Sequence, residues 1–258
     1  MTGSTPFDLL AIEYDAQFTQ SAVGTAMRRA VWRRMDVRFS PGQRVLDLAC
    51  GTGEDAVHLG RRGVRVIAMD ASAAMVDAAR RKVAGARLEA EVEVRQLSIE
   101  KLDRLDGLHF DGAVSNFGAL NCLTDLAPVS RALAARLAPG AVVLVCVMGP
   151  LVPWEWLWFL ARGDPGKAFR RLRPGGLRWR GLTIRYPSIR RLRREFASAF
   201  RLLRTSAVGA LLPPSYAEPW ATRHPWLLER LDGLERRLET LPPLPWLADH
   251  YLAEFVRP

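Results

Sequence analysis

Two carboxylates and two glycines stand close together in the first third of the chain, with types and spacing suited to holding a ligand. Residues 45–60 read VLDLACGTGEDAVHLG, an apolar run that ends in an acid and turns through Gly51 and Gly53 into an amphipathic helical pattern. Glycines let a turn approach a ligand closely, and the helix that follows begins with unpaired N–H groups. A second apolar run ends at Asp70, whose carboxylate can accept from two ribose hydroxyls. The pattern therefore predicts a nucleoside-bearing cofactor.

The same residues also satisfy the dinucleotide-binding pattern G-x-G-x-x-A, through Gly51, Gly53 and Ala56, with Asp70 about twenty residues further on. An NAD-dependent reductase is therefore an alternative on this motif alone. Such an enzyme needs a site that handles hydride, and the sequence contains no Tyr-x-x-x-Lys pair that would supply one.

The elements that must position these residues alternate strictly between strand and helix. The predicted strands are 44–49, 64–69, 91–97, 111–116, 141–147, 200–208 and 249–256, and the main predicted helices are 21–39, 53–62, 73–84, 124–137, 188–199 and 226–240. Near-continuous apolar strands are typical of a parallel sheet that helices cover on both faces. We expect an α/β fold with a doubly wound, mostly parallel sheet, whose ligand lies beyond the carboxyl ends of the strands.

Four segments, in order, resemble the motifs of the class I S-adenosylmethionine-dependent methyltransferases that act on small molecules. They are DLACGTG at 47–53, MDAS at 69–72 with Met75 following, VRQLSIEKL at 94–102, and FDGAVSNFGAL at 110–120. In that family the first strand carries an acid before the glycines, which NAD-binding strands rarely do. The resemblance implies a seven-stranded Rossmann-like sheet whose last two strands form an antiparallel hairpin. It also implies S-adenosylmethionine as cofactor and S-adenosylhomocysteine as product.

The resemblance assigns cofactor-binding roles to residues at the strand ends. Asp47 would order the glycine turn near the cofactor's amino group, and Asp70 would bind the ribose. Ser98 stands where many members carry an acid beside the adenine amino group. The implied cofactor-binding residues are Tyr14, Asp47, Ala49, Cys50, Gly51, Gly53, Asp70, Ala71, Met75, Ser98, Ile99, Asn116 and Phe117. For Asp47 an alternative stays open, in which a strand-end acid caps a neighbouring helix.

Four regions are expected along the chain. Residues 1–40 would form an N-terminal helical lid, 41–149 the cofactor-binding core, 150–187 an inserted helical cap, and 188–258 the completion of the sheet. The insertion is rich in Trp and then in Arg, and in methyltransferases of this kind an insertion at this place covers the acceptor pocket. The candidate acceptor-binding residues are Trp154, Trp156, Tyr216 and Arg28. For the Trp-rich run, packing within the insertion is the alternative.

Methyl transfer from a sulfonium needs little covalent help from the protein, because the leaving group already carries a positive charge. The protein must align the acceptor, exclude water and remove a proton where the acceptor carries one. The histidines that could act as that base are His58, His109, His224 and His250, each a weak candidate. Residues 116–119 read NFGA, unlike the Asn/Asp-Pro-Pro-Tyr/Phe motif of enzymes that methylate bases or glutamine amides. We expect a small apolar or aromatic acceptor with an O, N or C nucleophile, and not a nucleic acid.

Positive charge is concentrated in one part of the chain. The net charge is +10 at pH 7, and residues 162–204 carry fourteen Lys and Arg against two acids. A non-catalytic protein of this fold that binds RNA or anionic lipid through that segment is therefore a second hypothesis, and peripheral membrane contact stays open. The three cysteines are too widely spaced for a zinc site or a disulfide framework. Without a leader-like or membrane-spanning run, we expect a cytoplasmic protein with no metal.

Overall fold

The structure is a computed structural model that describes Phe7, Asp15 and residues 19–258, so Tyr14 lies outside the described residues. In chain order the elements are α1 (Ala22–Arg38), β1 (Arg44–Leu48), α2 (Glu54–Arg61), β2 (Arg65–Asp70), α3 (Ala73–Gly85), β3 (Val92–Gln96), β4 (Phe110–Ser115), α4 (Ala127–Ala134), β5 (Leu137–Met148), α5 (Pro153–Leu160), α6 (Pro165–Ala168), β6 (Leu177–Trp179), β7 (Leu182–Ile184), α7 (Ile189–Phe196), β8 (Arg201–Val208), α8 (Glu218–Arg223), α9 (Pro225–Leu238) and β9 (His250–Val256). Short 3-10 turns connect several of them, including Ile99–Leu105 after β3 and Ala119–Cys122 after β4. Across the described part of the chain, no helix combines the length and the apolar character that crossing a bilayer requires.

Seven strands form one sheet in the order β3-β2-β1-β4-β5-β9-β8. The first five are parallel to their neighbours, whereas β9 runs antiparallel to both β5 and β8. The predicted doubly wound, mostly parallel sheet is confirmed, together with the antiparallel hairpin at its end. Because β9 is reversed, its first residue, His250, pairs with Met148 and Val208, the last residues of β5 and β8. The start of β9 therefore lies at the same edge of the sheet as the carboxyl ends of the parallel strands.

Apolar side chains cover both faces of the sheet, which explains why its central strands read as continuous apolar runs. One core includes Met27 and Val31 of α1 and Val57 of α2 against one face. The second core includes Leu133 of α4 and Phe196 of α7 against the other face. Serine side chains stop three helices from fraying at their first turns, because each accepts from a backbone N–H that has no partner inside the helix. These capping residues are Ser21, Ser72 and Ser188.

Two connecting regions, 150–187 and 209–225, contain more regular structure than the sequence predicts. The predicted elements leave a connection between the strand 200–208 and the helix 226–240, but the structure has the helix α8 there, with a proline at a first-turn position where its missing N–H costs nothing. The 150–187 segment contains the predicted helices, α5 and α6, and also the hairpin β6–β7, which the pattern did not predict. Arg180 and Gly181 form its two-residue turn, both with positive φ. Arginine rarely adopts that conformation, so the turn has no clear sequence signal.

Candidate functional site

The glycine turn after β1 has the left-handed backbone that its sequence predicts. Gly51 and Gly53 have φ of 54° and 81°, and Ala49 has φ of 54°, a strained value for a residue with a side chain. A Cβ added at Gly51 would meet open space, whereas one at Gly53 would lie 2.9 Å from the Cβ of Ala79 in α3. Gly51 therefore exposes backbone beside open space, and Gly53 also lets two helices pack closely. The turn is anchored to β2 because the N–H of Cys50 donates to the Met69 carbonyl at 2.9 Å.

Asp70 joins the end of β2 to this turn. One of its carboxylate oxygens accepts from the Gly51 N–H at 3.0 Å, and the other accepts from the Ser72 N–H at 2.9 Å. The side chain is buried, so these bonds fix its orientation. A carboxylate offers about four acceptor positions, so one held in this way can also accept from hydroxyl donors. The arrangement suits the ribose-binding role predicted for Asp70.

A buried ion pair lies beneath the turn, and the sequence analysis missed one half of it. Asp55, in the first turn of α2, accepts from Arg28 at 2.8 Å, from the Trp32 indole at 2.7 Å and from the Asn116 amide at 2.9 Å. Burial raises the pKa of Asp55, but Arg28 and these hydrogen bonds outweigh it, so the pKa lies below its ordinary value. Asp55 stays ionised and links α1, α2 and the end of β4.

The environment of Asp47 disfavours its ionised form, in contrast to that of Asp55. Burial raises its pKa well above the ordinary value, the negative Asp55 adds to the rise, and Arg28 only partly opposes it. Its Oδ2 atom is buried without a hydrogen-bond partner among the described residues. Isolated buried carboxylates are costly, and a cation removes most of the penalty. The cofactor's ammonium group would supply that cation, so Asp47 fits S-adenosylmethionine, and the helix-capping alternative finds no support here.

The predicted adenine side of the crevice is built from the residues after β2 and β3. Ala71 is exposed, Met75 is buried in the first turn of α3, and Ile99 is buried after β3. The Ser98 hydroxyl accepts from the Glu100 N–H at 3.3 Å, because Ser98 caps the short 3-10 turn that follows it. Contact of these four residues with adenine stays a prediction.

Asp15, which follows Tyr14 in the sequence, contacts the glycine turn. Thr52 donates to the Asp15 carboxylate at 2.6 Å, and Lys82 of α3 pairs with it at 2.8 Å. Burial raises the pKa of Asp15, but Lys82 and Thr52 together lower it below its ordinary value. Tyr14, with its predicted lid role, lies outside the described residues.

The acceptor side begins at the end of β4. Phe117 follows Asn116 with a left-handed φ of 48°, and its ring lies between the Arg28 guanidinium, at 4.9 Å, and the His250 ring, at 5.4 Å. Arg28, predicted to bind the acceptor, is thus held by Asp55 and Phe117. The Asn116 side chain donates to Asp55 and accepts from the Phe117 N–H, so it positions the strand end.

A second buried ionic cluster ties the 150–187 segment to this edge. Arg171 pairs with Glu155 at 2.8 Å and with Asp249, and it also donates to the Asp249 carbonyl at 3.0 Å. Asp249 in turn contacts the His250 Nδ1 atom at 2.9 Å. Burial raises the pKa of Asp249, but Arg171 and His250 outweigh it, so its pKa lies well below the ordinary value. The cluster therefore reaches from α5 to the first residue of β9.

The aromatic residues of α5 face different surroundings. Tyr216 packs against Trp158 and Phe159, with ring centroids 5.6 and 5.1 Å apart. Trp156 instead contacts the largely exposed Phe169 at 5.9 Å. Trp154 is half-buried at the start of the same helix. The structure therefore joins Tyr216 to Trp158 and Phe159, and acceptor contact by Trp154, Trp156 and Tyr216 stays a prediction.

Of the four candidate histidines, His250 is placed at this edge of the sheet by its pairing with Met148 and Val208. His58 pairs with Asp36 at 2.8 Å and stacks on Trp32. His109 is exposed just before β4, at the opposite edge, and His224 contacts the Trp220 carbonyl at 2.9 Å. His250 lies beside Phe117.

Five residues of the site have no predicted role from the sequence: Asp55, Asp15, Glu155, Arg171 and Asp249. The sequence does contain a signal for Asp55, because it is an acid in the first turn of the helix that follows the glycines. For Arg171 and Asp249 the partners are 78 residues apart in the chain, and no local pattern indicates such pairs.

Comparison with known proteins agrees with this geometry. A family model described as a methyltransferase domain matches residues 45–140. The 2-phytyl-1,4-naphtoquinone methyltransferase of Synechococcus elongatus is 36% identical over 146 residues, which make up 52% of this chain and 58% of that protein. The demethylmenaquinone methyltransferase of Lactiplantibacillus plantarum is 30% identical over 170 residues, 62% of this chain and 69% of that protein. The chain belongs to the class I S-adenosylmethionine-dependent methyltransferases.

Solved structures share the fold. The geranyl diphosphate C-methyltransferase from Streptomyces coelicolor, in complex with S-adenosyl-L-homocysteine, superposes with a TM-score of 0.57 at 15% identity, over 89% of this chain and 78% of that chain. S-adenosylmethionine, predicted from the motifs, is confirmed as the cofactor of the family. The chain spans 58% of the length of the Synechococcus relative.

Proposed function

We propose that the protein transfers a methyl group from S-adenosylmethionine to a small apolar acceptor of the quinol type. The observation that carries the proposal is the Asp70 carboxylate, which is hydrogen-bonded to the glycine turn at the carboxyl edge of the sheet. In this arrangement the carboxylate that would bind the ribose is hydrogen-bonded to the glycine turn, and the backbone of that turn would approach the rest of the cofactor. A reductase would need the hydride-handling residues that the sequence lacks.

The electrostatics of the crevice support a ligand that carries cationic groups. Asp47 and Asp70 are buried near the ends of β1 and β2, and Asp55 is buried in the first turn of α2, where it pairs with Arg28. S-adenosylmethionine supplies an electrophilic methyl on a positive sulfur and carries an ammonium group. In the proposed complex Asp47 accepts from the ammonium group, Asp70 orients the ribose, and Phe117 helps to exclude water beside the acceptor.

The acceptor class is supported by the relatives and by the aromatic 150–187 segment. The matched relatives are named for methylating naphthoquinone and menaquinone precursors. Tyr216, Trp158 and Phe159 form an aromatic cluster beside the ionic contacts that lead to His250. Flat aromatic acceptors pack well against such side chains. A hydroquinone also offers both an oxygen and a ring-carbon nucleophile.

The test is a transfer assay with tritiated S-adenosylmethionine and a prenylated 1,4-naphthohydroquinone kept reduced under nitrogen. We expect the label to move into the solvent-extractable naphthoquinol product, and calorimetry to show that the protein binds S-adenosylhomocysteine. Binding without any transfer to the naphthohydroquinone would contradict the acceptor class. Absence of binding would contradict the function as a whole.

We further infer that the protein works in the cytoplasm, at the surface of an anionic membrane that holds its acceptor. Four large apolar side chains of the 150–187 segment are exposed: Leu157, Leu160, Phe169 and Leu172. Exposed cations surround them in the sequence, among them Arg162, Lys167 and Arg173. Apolar and basic side chains together favour the interface of an anionic bilayer. The three cysteines are free thiols, as a reducing compartment favours.

Vesicle co-sedimentation tests this surface. We expect binding to vesicles of phosphatidylcholine and phosphatidylglycerol but weak binding to phosphatidylcholine alone. Leu157→Asp should weaken the binding about tenfold or more, since it buries a charge in place of apolar surface. Leu234→Asp is the matched control, because Leu234 is an exposed leucine on α9, outside the segment. Equal loss in both variants would contradict the proposed surface.

A further inference from the structure

We propose that His250, oriented by Asp249, accepts the proton that the acceptor hydroxyl releases during methyl transfer. This inference rests on the proposed function, and it names a catalytic residue for that reaction. His250 is the first residue of β9, and the reversed direction of β9 brings it to the edge of the sheet where the cofactor site lies.

The position of the imidazole is fixed from two sides. The Phe117 ring, which follows the end of β4, meets the His250 ring edge-on at 5.4 Å. Asp249 contacts Nδ1 at 2.9 Å, and Arg171 of the 150–187 segment holds Asp249. The His250 side chain is 8% exposed. A base that lies in a water-poor site beside the strand end is protected from solvent and is near the place where the acceptor must lie.

Asp249 decides which ring nitrogen is available. An ionised carboxylate can only accept hydrogen bonds, so the proton of the neutral ring resides on Nδ1 and Nε2 carries the lone pair. Among the described residues, Nε2 makes no hydrogen bond. The negative Asp249 also stabilises the imidazolium that forms when Nε2 takes up a proton. These are the properties that a general base requires.

The protons and electrons of this step balance with the acceptor, His250 and S-adenosylmethionine. The O–H bond of the acceptor breaks, its proton bonds to Nε2, and the electron pair stays on the acceptor. That pair forms the new bond to the methyl carbon, either from oxygen or through the conjugated ring carbon, and the pair of the carbon–sulfur bond returns to sulfur. When a ring carbon is methylated, its hydrogen leaves to water as a proton and the ring regains its aromaticity.

The groups near His250 come from several elements. Besides Asp249, the charged and titratable side chains near His250 and its partners are Arg171, Glu155, Tyr186, Tyr216, Cys146 and Arg28. Arg171 is shared between Asp249 and Glu155, so it neutralises Asp249 only in part. Tyr216 belongs to the aromatic cluster proposed to contact the acceptor, which places His250 and the acceptor on the same side of the sheet.

The tautomer can be measured without cofactor or acceptor. Long-range proton–nitrogen correlation NMR on protein labelled with nitrogen-15 histidine distinguishes a protonated nitrogen from a bare one, and the His250→Gln spectrum assigns the signal. We expect the neutral ring of His250 to carry its proton on Nδ1, and Asp249→Asn to remove that preference. A neutral ring with its proton on Nε2 would overturn the proposal, because Nε2 would then have no lone pair to accept a proton.

The kinetic test uses the same transfer assay at about pH 7. We expect His250→Gln to lower the transfer rate by about 100- to 10,000-fold, the range for removal of a general base, with unchanged affinity for S-adenosylhomocysteine. His224→Gln is the matched control, since the His224 side chain contacts the carbonyl and the ring of Trp220, and it should retain both properties. A His250→Gln rate within about threefold of the wild type would overturn the proposal. Failure of the wild type to bind S-adenosylhomocysteine would instead refute the proposed function.

Discussion

Two halves of the site handle buried carboxylates in opposite ways. The cofactor half, defined by Asp47, Asp55 and Asp70, leaves one carboxylate oxygen of Asp47 without a hydrogen-bond partner among the described residues. In the other half, defined as the bridging cluster of Glu155, Arg171, Asp249 and His250, both carboxylates are paired. An unpaired buried charge makes a site ready for a cationic ligand, whereas a fully paired cluster holds parts of the chain together.

The largest expected effect comes from breaking the bridging cluster. Arg171→Met removes the cation shared by the buried Glu155 and the partly buried Asp249, and the loss of one partner of a buried ion pair costs about 3–5 kcal/mol of unfolding free energy. Urea denaturation followed by circular dichroism measures this cost. Arg173→Met is the control, because Arg173 is exposed, and it should change stability by no more than about 0.5 kcal/mol. Equal stability of the two variants would mean that the cluster does not hold the 150–187 segment.

The next effect concerns the ribose acid. Asp70→Ala should weaken binding of S-adenosylhomocysteine by about 10- to 100-fold, since hydrogen bonds to a charged group contribute about 1.5–3 kcal/mol. Isothermal titration calorimetry gives the two dissociation constants. Asp77→Ala, an exposed acid one turn into α3, should bind like the wild type. Unaltered binding in Asp70→Ala would remove Asp70 from the cofactor site.

The smallest expected effect is a gain in stability, in contrast to the loss expected for Arg171→Met. Asp47→Asn should raise the unfolding free energy of the cofactor-free protein by about 1 kcal/mol, because it removes a charge that is buried without a compensating cation. It should also weaken binding of S-adenosylhomocysteine, whose ammonium group loses its partner.

The pH dependence of stability is a second test of the Asp47→Asn prediction. Because the pKa of Asp47 is raised in the folded protein, protonation of its side chain favours the folded state. This contribution to stability is complete below the ordinary pKa of 3.8 and is lost as pH rises through the folded pKa. The stability gained by Asp47→Asn should therefore grow as pH rises above about 4, in denaturation curves measured at a series of pH values. A gain independent of pH would show that the Asp47 charge is not the cause.

The two halves also differ in how far the sequence predicts them. Asp47, Gly51, Gly53 and Asp70 lie within one strand–turn–helix–strand unit, so local spacing is enough to place them at one edge of the sheet. Asp249 and Arg171 meet only after the 150–187 segment folds back on β9.

His250 falls between these cases. Its position at the start of a reversed strand implies the correct edge, but its partner Phe117 lies more than a hundred residues earlier in the sequence. The Arg-rich segment, residues 162–204, also shows that local sequence does not predict distant contacts. Arg171 and Arg204 form ion pairs with buried or half-buried acids, and a count of charges does not reveal these pairs.

The central claim is that the crevice beyond β1 and β2 binds an adenosyl sulfonium through Asp70. A crystal structure of the protein with S-adenosylhomocysteine tests it most directly. We predict both ribose hydroxyls within about 2.5–3.2 Å of the Asp70 carboxylate, and the amino group beside Asp47. A ribose bound elsewhere, with Asp70 contacting only the backbone of Gly51 and Ser72, would contradict the account.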